Sequence, residues 1–363
     1  MIETPEVLII GGGPAGLAAA RETVKAGCET VILDDALELG GQLVKQTHKF
    51  FGSEMEYAGV RGIWISEKLL AEISDSPNFK YYLHTDASGH YEDGVVTAIY
   101  RGEKVLKFKP AKIIIATGAT EKTIPFPNND LPGVYGAGAV QTLMNVYGVL
   151  PGKRGLMVGA GNIGLIVSYQ LRQAGVEVAC IVEALDKIGG YWVHASKIAR
   201  LGVPILTRTT ITEALGKEQV TGAIITDIDE NWQPIPGTER DVECDFICLA
   251  VGLSPLSDLL RLAECEMVYV PELGGEVPYR NDEMETTTAG VYVAGDAGGI
   301  EEASSAMIEG ALAGLSAANS LGKSIPDFGE RKNGFLAELE NLRSGPIGSH
   351  IREGLSKCVL KEK

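Results

Sequence analysis

Two glycine-rich segments of the same form carry the chemistry that can be read from this sequence. Gly11-Gly12-Gly13-Pro14-Ala15-Gly16 follows the apolar run Val7–Ile10, and Gly159-Ala160-Gly161-Asn162-Ile163-Gly164 follows Leu156-Met157-Val158. In a GxGxxG segment the first glycine permits a tight turn, the second lets the backbone approach a pyrophosphate, and the third packs the helix against the strand. The helix N-terminus then offers free N–H groups to the anion. Each segment therefore predicts a dinucleotide-binding site.

An acidic residue follows each segment at the spacing that ribose recognition requires. The carboxylate that binds a ribose 2′-hydroxyl ends the next strand, about 20 residues on. Asp34 and Glu183 each close such an apolar run. Glu183 favours NAD(H) over NADP(H), although Arg200 and Arg208 could accommodate a 2′-phosphate if a loop folded back. The motif recognises only the ADP moiety, so another adenine nucleotide such as ATP could also occupy the second site.

The similarity between the two halves of the chain extends beyond these motifs. A glycine pair begins six residues after the acidic residue in each half, at Gly40-Gly41 and at Gly189-Gly190. Each half also ends in an apolar run that leads into glycine, at residues 113–118 and 246–252. The common register indicates two copies of one nucleotide-binding module.

These repeats predict an α/β fold with two Rossmann-like, three-layer ββα nucleotide-binding domains, the second inserted in the first. The β-branched run that ends in Gly295-Asp296 and the small-residue helix after it can complete the first domain. Proline-rich residues 124–132 have the composition of a linker. The predicted domains are residues 1–120 with 253–330, residues 134–252, and a C-terminal tail of residues 331–363. The tail either folds back on its own domain or docks on a partner.

Between the two motifs, three short runs predict a small β-meander. They are Tyr81-Tyr82-Leu83-His84, Val95–Tyr100 and Val105–Phe108, and turn-forming residues separate them. We expect this meander to lead the chain back to the strand at 113–117.

Composition and charge limit the class of protein and its partners. The 363 residues are 45% hydrophobic and 22% charged, and the length suits two domains of about 100–200 residues each. The formal net charge of −16 disfavours nucleic acid as a partner. No apolar run approaches the roughly 18 residues that span a bilayer, so no membrane association is expected. Six scattered cysteines are typical of reduced core thiols and favour a cytoplasmic location.

Taken together, these residues resemble the two-dinucleotide-binding-domain flavoproteins, the pyridine nucleotide-disulfide oxidoreductase-like class that includes thioredoxin and glutathione reductases. The likeness implies FAD at the N-terminal motif and NAD(P)H at the inserted motif. By resemblance, the FAD contacts are Gly11, Gly13, Pro14, Ala15, Gly16, Asp34, Gly41, Gln42, Ala116, Thr117, Gly118, Gly295 and Asp296. The residues expected at the second site are Gly159, Gly161, Asn162, Ile163, Gly164, Glu183 and Gly252.

The sequence departs from that class because it has no Cys-x-x-Cys or Cys-x4-Cys pair. Disulfide exchange needs paired thiols. Cys244 and Cys248 would lie about 13 Å apart on an extended strand, too far for a bridge. With Thr47-His48-Lys49-Phe50 after Gly-Gly-Gln-Leu, the chain looks more like the α subunits of sarcosine oxidase, opine oxidase and dye-linked proline dehydrogenase. Any iron–sulfur cluster would sit on a separate polypeptide.

The resemblance implies an FAD-dependent oxidoreductase that transfers a hydride between NAD(P)H and flavin and passes electrons to a partner subunit or acceptor. This transfer would take place within an amine or imino-acid dehydrogenase or oxidase complex. The expected partners are a small-molecule substrate or electron acceptor and further subunits, and an oligomer is expected. The alternative is a non-catalytic or electron-relay scaffold subunit whose second site binds another adenine nucleotide, such as ATP.

Two histidines are candidates for roles near the nucleotides. His48 could act as an acid–base group beside the flavin, or it could pack beside Phe50 as a structural residue. His194 occupies the corresponding region of the second half, where a structural or solvent-facing role is favoured. No histidine and carboxylate cluster has metal-ligand spacing, so no metal site is predicted.

Overall fold

The computed structural model describes residues 2–50 and 53–360, and for Pro346 and Ile347 it describes the backbone only. The last three residues of the predicted tail therefore lie outside the described part. Two compact units form: the first from the described residues of Met1–Thr120 and Ser254–Lys363, and the second from Glu121–Leu253.

Strand–helix units begin each half of the chain, and runs of consecutive strands follow them. The strands are β1 (Val7–Ile10), β2 (Thr30–Leu33), β3 (Phe79–Tyr82), β4 (Thr85–His90), β5 (Val96–Tyr100), β6 (Lys104–Phe108), β7 (Lys112–Ile115), β8 (Ala119–Glu121), β9 (Val134–Gly136), β10 (Arg154–Val158), β11 (Glu177–Glu183), β12 (Ile205–Thr207), β13 (Thr209–Gly216), β14 (Val220–Asp227), β15 (Arg240–Val242), β16 (Phe246–Leu249), β17 (Leu253–Pro255), β18 (Met267–Val270), β19 (Gly275–Pro278) and β20 (Val291–Val293). The helices are α1 (Pro14–Lys25), α2 (Gly62–Ala71), α3 (Ala137–Asn145), α4 (Asn162–Gln173), α5 (Trp192–Arg200), α6 (Asp258–Leu262), α7 (Ala303–Ser320), α8 (Phe328–Leu342) and α9 (Gly345–Leu355). Short 3-10 helices lie at Gly41–Lys45, Pro271–Leu273 and Gly295–Gly298.

A five-stranded parallel sheet forms the centre of the first unit, in the order β20-β7-β1-β2-β3. Every residue of β1 and β2 is buried, because the strands are continuous apolar runs covered on both faces. Parallel alignment brings the C-terminal ends of β1, β2 and β7 to one edge of the sheet. That edge holds the first glycine-rich motif.

Helices α1 and α7 pack against each other at very short range beside this sheet. A Cβ atom added to Gly310 would lie 2.0 Å from the carbonyl oxygen of Ala15, and one added to Gly314 would lie 2.4 Å from that of Ala19. The glycines of α7 therefore let the two helix backbones approach each other.

The antiparallel meander begins one strand later in the sequence than predicted. Residues 79–82 are not its first strand but form β3, which pairs in parallel with β2 at the edge of the main sheet. The antiparallel sheet instead consists of β4, β5 and β6. The first of these, Thr85–His90, is rich in small and polar residues, so its strand character is weak in the sequence.

The second unit repeats the plan of the first. Its parallel sheet has the order β12-β11-β10-β16-β9, and its antiparallel sheet consists of β13, β14 and β15. The fold is thus an α/β fold with two Rossmann-like units, as the repeats predict.

Residues 121–133 belong to the second unit rather than to a linker. Phe126 is buried in that unit's core with Leu156, Ala214 and Ile247. The prolines around it give the segment a linker-like composition, but its apolar side chains are packed.

The part of the predicted tail that the structure describes packs on the first unit. Phe335 and Leu339 on α8 join the core that contains α1 and α7, and Leu355 at the end of α9 joins a small cluster with Leu273. Among the helices formed by the described residues, none combines the length and the apolar character needed to cross a membrane.

Candidate functional site

The first glycine-rich motif forms a tight turn between β1 and α1. Gly11 has φ +102°, and a Cβ atom there would lie 2.2 Å from the carbonyl oxygen of Ala116. A Cβ atom on Gly16 would lie 1.8 Å from the carbonyl oxygen of Gly11. Packing within the protein therefore explains these two glycines.

Packing does not explain Gly13, the second glycine of the motif. Its φ of −74° suits any residue, and among the described residues a Cβ atom there would meet only the Cα atom of Gly41, at 3.9 Å. The first turn of α1 has no side-chain cap among the described residues. The open space beside Gly13 and the N–H groups of Ala15 and Gly16 fit a bound pyrophosphate.

Asp34 closes β2 with its carboxylate directed at this turn. One oxygen accepts a hydrogen bond from the Gly12 N–H at 2.5 Å, and the other accepts one from the Ala36 N–H at 2.8 Å. The side chain is buried, and this burial raises the pKa of Asp34 even though the two N–H groups act to lower it. Its remaining lone pairs suit the hydroxyls of a ribose.

Two further segments contact the first motif. The Gly40 N–H donates to the carbonyl oxygen of Gly12 at 2.8 Å, and Gly41, with φ +52°, lies against Gly13. The Ala116 N–H donates to the carbonyl oxygen of β1 that precedes Gly11, at 2.8 Å. The structure thus gathers the predicted loops at one edge of the sheet, whereas the side chain of Gln42 is exposed.

Asp296 reaches the same edge from late in the sequence. The preceding Gly295 has φ +69°, and a Cβ atom there would lie 3.0 Å from that of Ala15. Burial, together with the carboxylates of Glu309 and Glu301, raises the pKa of Asp296 to about 7, against the opposing effect of one backbone hydrogen bond. The first site therefore contains two carboxyl groups with raised pKa values.

Thr117 and Gly118 form the turn after β7. The Thr117 hydroxyl donates to the carbonyl oxygen of Leu256 at 2.7 Å, and Gly118 has φ +76°. This turn lies directly after Ala116, so the structure places all three residues at the same edge.

The glycines of the second motif have close contacts equivalent to those of the first motif. A Cβ atom on Gly159 would lie 2.3 Å from the carbonyl oxygen of Ala250, and one on Gly164 would lie 2.1 Å from that of Gly159. A Cβ atom on Gly161 would have no neighbour within 4 Å among the described residues. The second motif leaves the same open space for a ligand.

Glu183 has the same relation to the second motif as Asp34 has to the first. Its carboxylate accepts hydrogen bonds from the Ala160 N–H at 2.7 Å and from the Leu185 N–H at 3.0 Å. The Asn162 side chain accepts a hydrogen bond from the Tyr191 N–H at 2.8 Å. Asn162 therefore joins the start of α4 to the segment that leads into α5.

The structure also positions the remaining residues predicted for the second site, together with Arg200 and Arg208. Ile163 is partly exposed in the first turn of α4, and Gly252, with φ +117°, follows β16. Arg208 lies beside the loop after Glu183, because its backbone N–H donates to the carbonyl oxygen of Leu185 at 2.9 Å. Arg200 instead donates to a carbonyl oxygen of its own helix.

Residues 5–310 match the family described as pyridine nucleotide-disulphide oxidoreductase. The chain belongs to this family. Membership implies the binding of FAD and a pyridine nucleotide, and the two motifs described above fit such ligands.

Components of larger enzymes are among the relatives in sequence. The alpha subunit of sarcosine oxidase from Corynebacterium sp. strain P-1 is 27% identical over 87% of this chain, which spans 33% of that protein. An opine oxidase subunit from Agrobacterium tumefaciens strain Ach5 is 27% identical over 86% of this chain, which spans 65% of it. The HcnB subunit of hydrogen cyanide synthase from Pseudomonas aeruginosa is 28% identical over 93% of this chain, which spans 76% of it.

Two solved structures share the fold of this family member. L-proline dehydrogenase from P. horikoshii has a TM-score of 0.70 at 23% identity, covering 94% of this chain and 60% of that chain. Thioredoxin reductase from T. acidophilum has a TM-score of 0.72 at 21% identity, covering 88% and 99%.

Despite the family's name, the chain has no redox disulfide. All six cysteines lie in the described residues, and all are buried with free thiols. Burial raises the pKa of Cys28 to about 11 and that of Cys244 to about 12, so these thiols are protonated and unreactive at neutral pH.

Both histidines make packing contacts. His48 stacks on the buried ring of Phe50, with ring centroids 5.7 Å apart. His194 is buried near Tyr191, and burial together with Lys197 lowers its pKa. An acid–base role for His48 stays a prediction. Within residues 2–50 and 53–360 there is no group of three or more potential metal ligands from His, Cys, Asp and Glu.

Sequence reasoning missed a buried charged cluster behind Gly295. Glu309 binds the Gly295 N–H and two arginines, Arg280 and Arg343. Glu309 is the only charged residue of α7, and this isolated charge in a helix of small and apolar residues is the signal that could have found it.

Proposed function

We propose that this chain is an FAD-dependent oxidoreductase that transfers a hydride from NAD(P)H, with NADH preferred, to the flavin. Electrons then pass to a partner subunit or acceptor. The carrying observation is that Gly13 and Gly161, in two equivalent motifs of one chain, are glycines that the protein's own packing does not require. A bound pyrophosphate at each motif explains both.

The first site has the donors and acceptors for the ADP half of FAD. N–H groups at the start of α1 face the pyrophosphate position, and Asp34 faces the ribose position. Asp296 would hold the remaining part of the cofactor, since its loop meets the start of α1 at Ala15. When bound, FAD supplies the two-electron redox chemistry, and these residues bind and orient it.

The second site supports a preference for NADH. Glu183 keeps its carboxylate at the ribose position through hydrogen bonds from Ala160 and Leu185. A carboxylate there accepts from a 2′-hydroxyl and repels a 2′-phosphate. Arg208 lies nearby but is within 3.8 Å of Asp186, which offsets its charge.

The electron route beyond the flavin is proposed from the thiols and the relatives. Because all six thiols are buried and unpaired, disulfide exchange within this chain has no pair to use. Relatives described as subunits of sarcosine and opine oxidases support transfer to a partner protein. An amine or imino-acid dehydrogenase or oxidase complex in the cytoplasm is the setting that we propose.

Anaerobic reduction of the FAD-loaded protein tests this function. NADH should bleach the visible flavin band, and NADPH should do so with lower kcat/KM. Persistence of the oxidised flavin with both nucleotides would contradict the reductase assignment.

Two matched variants assign the sites separately. Gly13→Ala should change the stability of the FAD-free protein little but lose FAD affinity. The added methyl group would make an ordinary contact with the Cα atom of Gly41, at 3.9 Å, and would occupy the space proposed for the pyrophosphate. Gly161→Ala should keep FAD and lose rapid reduction by NADH. If Gly161→Ala is reduced as fast as the unmodified chain, the second motif is not the NADH site.

A second candidate function is an electron-relay scaffold whose second motif binds ATP. The observation that favours it is that the motif and Glu183 address only the ADP moiety. Calorimetry with ATP and NADH separates the two candidates, because the scaffold hypothesis requires ATP binding without reduction by NADH.

A further inference from the structure

A buried ion cluster lies directly behind the Gly295-Asp296 loop. One carboxylate oxygen of Glu309 accepts from Arg280 at 2.7 Å and from Arg343 at 2.6 Å. The side chains of Arg280, Glu309 and Arg343 are only 3%, 4% and 11% exposed. Two guanidinium groups thus bind one carboxylate oxygen in the interior of the first unit.

The second oxygen of Glu309 reaches the loop itself. It accepts a hydrogen bond from the Gly295 N–H at 3.0 Å. This bond fixes the residue that precedes Asp296, and a buried charge-assisted bond of this kind is strong and directional. The Glu309 carboxylate therefore helps to fix the position of the backbone just before Asp296.

Residues 343–360 are here called the C-terminal segment. This segment contains Arg343 and contacts the backbone of Arg280. The carbonyl oxygen of Arg343 accepts from Arg352. The backbone of Arg280 donates to Cys358 at 3.1 Å and accepts from Leu360 at 2.8 Å. The C-terminal segment thus fixes the position of each cation that Glu309 contacts.

Arg343 is a partner of two buried carboxylates in the cluster. Arg343 also binds Glu301 at 2.7 Å, and Glu301 donates its N–H to Asp296 at 3.3 Å. Burial acts to raise the pKa of Glu309, but the two arginines outweigh it and hold that pKa below its ordinary value. Without Arg343, two buried carboxylates beside Asp296 would lose a partner, which is costly in a protein interior.

We propose that Glu309, Arg280 and Arg343 form a positioning network through which the C-terminal segment sets the affinity of the first site for FAD. The network contacts the Gly295-Asp296 loop, through which it would act on the cofactor, so its members are positioning residues. This inference rests on the proposed function, in which Asp296 is an FAD contact.

Titration of the FAD-free full-length chain with FAD tests the network. Arg343→Met should weaken FAD binding about tenfold or more, since a charge-assisted bond and its neighbours are lost. Arg343→Lys should recover part of that loss, because it restores the charge but not the two-sided geometry. Thermal melting of each FAD-free variant measures stability separately.

Arg331→Met is the matched control from the adjoining helix. Arg331 lies near the start of α8 and pairs with buried Glu22, away from the Gly295-Asp296 loop. Its replacement should lower the melting temperature while changing the FAD dissociation constant by less than about twofold. A change in stability alone therefore does not mimic the expected result.

The outcomes distinguish failure of the network inference from failure of the proposed function on which it rests. If the unmodified chain does not bind FAD, the proposed function fails. If it binds FAD and Arg343→Met binds equally tightly, the network inference is overturned. Glu309→Gln gives the same test should Arg343→Met not fold. It keeps the side-chain shape but has one acceptor oxygen for the three donors Gly295, Arg280 and Arg343, so unchanged FAD affinity there would also overturn the inference.

Discussion

At the scale of single residues, the raised pKa of Asp296 is the most consequential feature. The folded protein places this carboxyl group among buried neighbours and near the carboxylates of Glu309 and Glu301. A folded-state pKa of about 7, against an ordinary 3.8, means that folding favours its protonated form. The free energy of unfolding therefore falls as pH rises from about 4 to 7 through this group.

Asp296→Asn removes that dependence while keeping a similar shape. The FAD-free variant should be more stable than the unmodified chain at pH 8 by about 2 kcal/mol, with a smaller gap at pH 5. Urea denaturation at both pH values measures this difference. A gap of equal size at pH 5 and pH 8 would show that Asp296 titrates normally.

At the scale of elements, the contact of α1 with α7 links packing to the first motif. Gly310 and Ala15 meet without room for a methyl group, and Ala15 lies in the first turn of α1, where the motif ends. Separation of these helices would displace the N–H groups that we assign to the pyrophosphate.

Gly310→Ala should therefore lower the free energy of unfolding by about 3 kcal/mol, in the upper range for overpacking a core. Gly334→Ala on α8 is the control, because a Cβ atom there has no neighbour within 4 Å in the part of the chain that the structure describes. The control should raise stability by about 0.5–1 kcal/mol through helix propensity. Equal stability of the two variants in urea denaturation would refute the close approach of α1 and α7.

The elements also show what the sequence could and could not predict. Apolar runs that end in glycine identify β1 and β10, because the motif demands strand, turn and helix in that order. The parallel pairing of β3 was not predictable, since its half-buried pattern resembles that of a meander strand. Contacts such as that of Arg343 with Glu309 join residues 34 positions apart, and no local pattern encodes them.

At the scale of the whole molecule, the chain leaves and re-enters the first unit at neighbouring residues. The Leu256 N–H donates to the carbonyl oxygen of Gly118 at 3.0 Å, so the residues on either side of the second unit are adjacent. The first unit has its own sheet and its own core. We therefore expect it to fold without the second unit.

Replacement of residues 121–253 by a short Gly-Ser linker tests this expectation. The shortened chain should bind FAD and melt cooperatively, because a shorter loop costs less entropy to close. It should no longer be reduced by NADH. Loss of FAD binding in a chain that stays folded would show that the second unit contributes to the first site.

The interruption of the first unit also has a consequence for synthesis. Strand β20 and helix α7 complete its sheet and cover α1, yet both follow the second unit in the sequence. At about 5–20 residues per second, the ribosome needs on the order of 10 s to make the inserted unit. During that time the apolar face of α1 that packs on α7 in the folded chain lacks its partner helix. If FAD binds at the first site as proposed, its loading follows release of the Gly295-Asp296 loop from the ribosome.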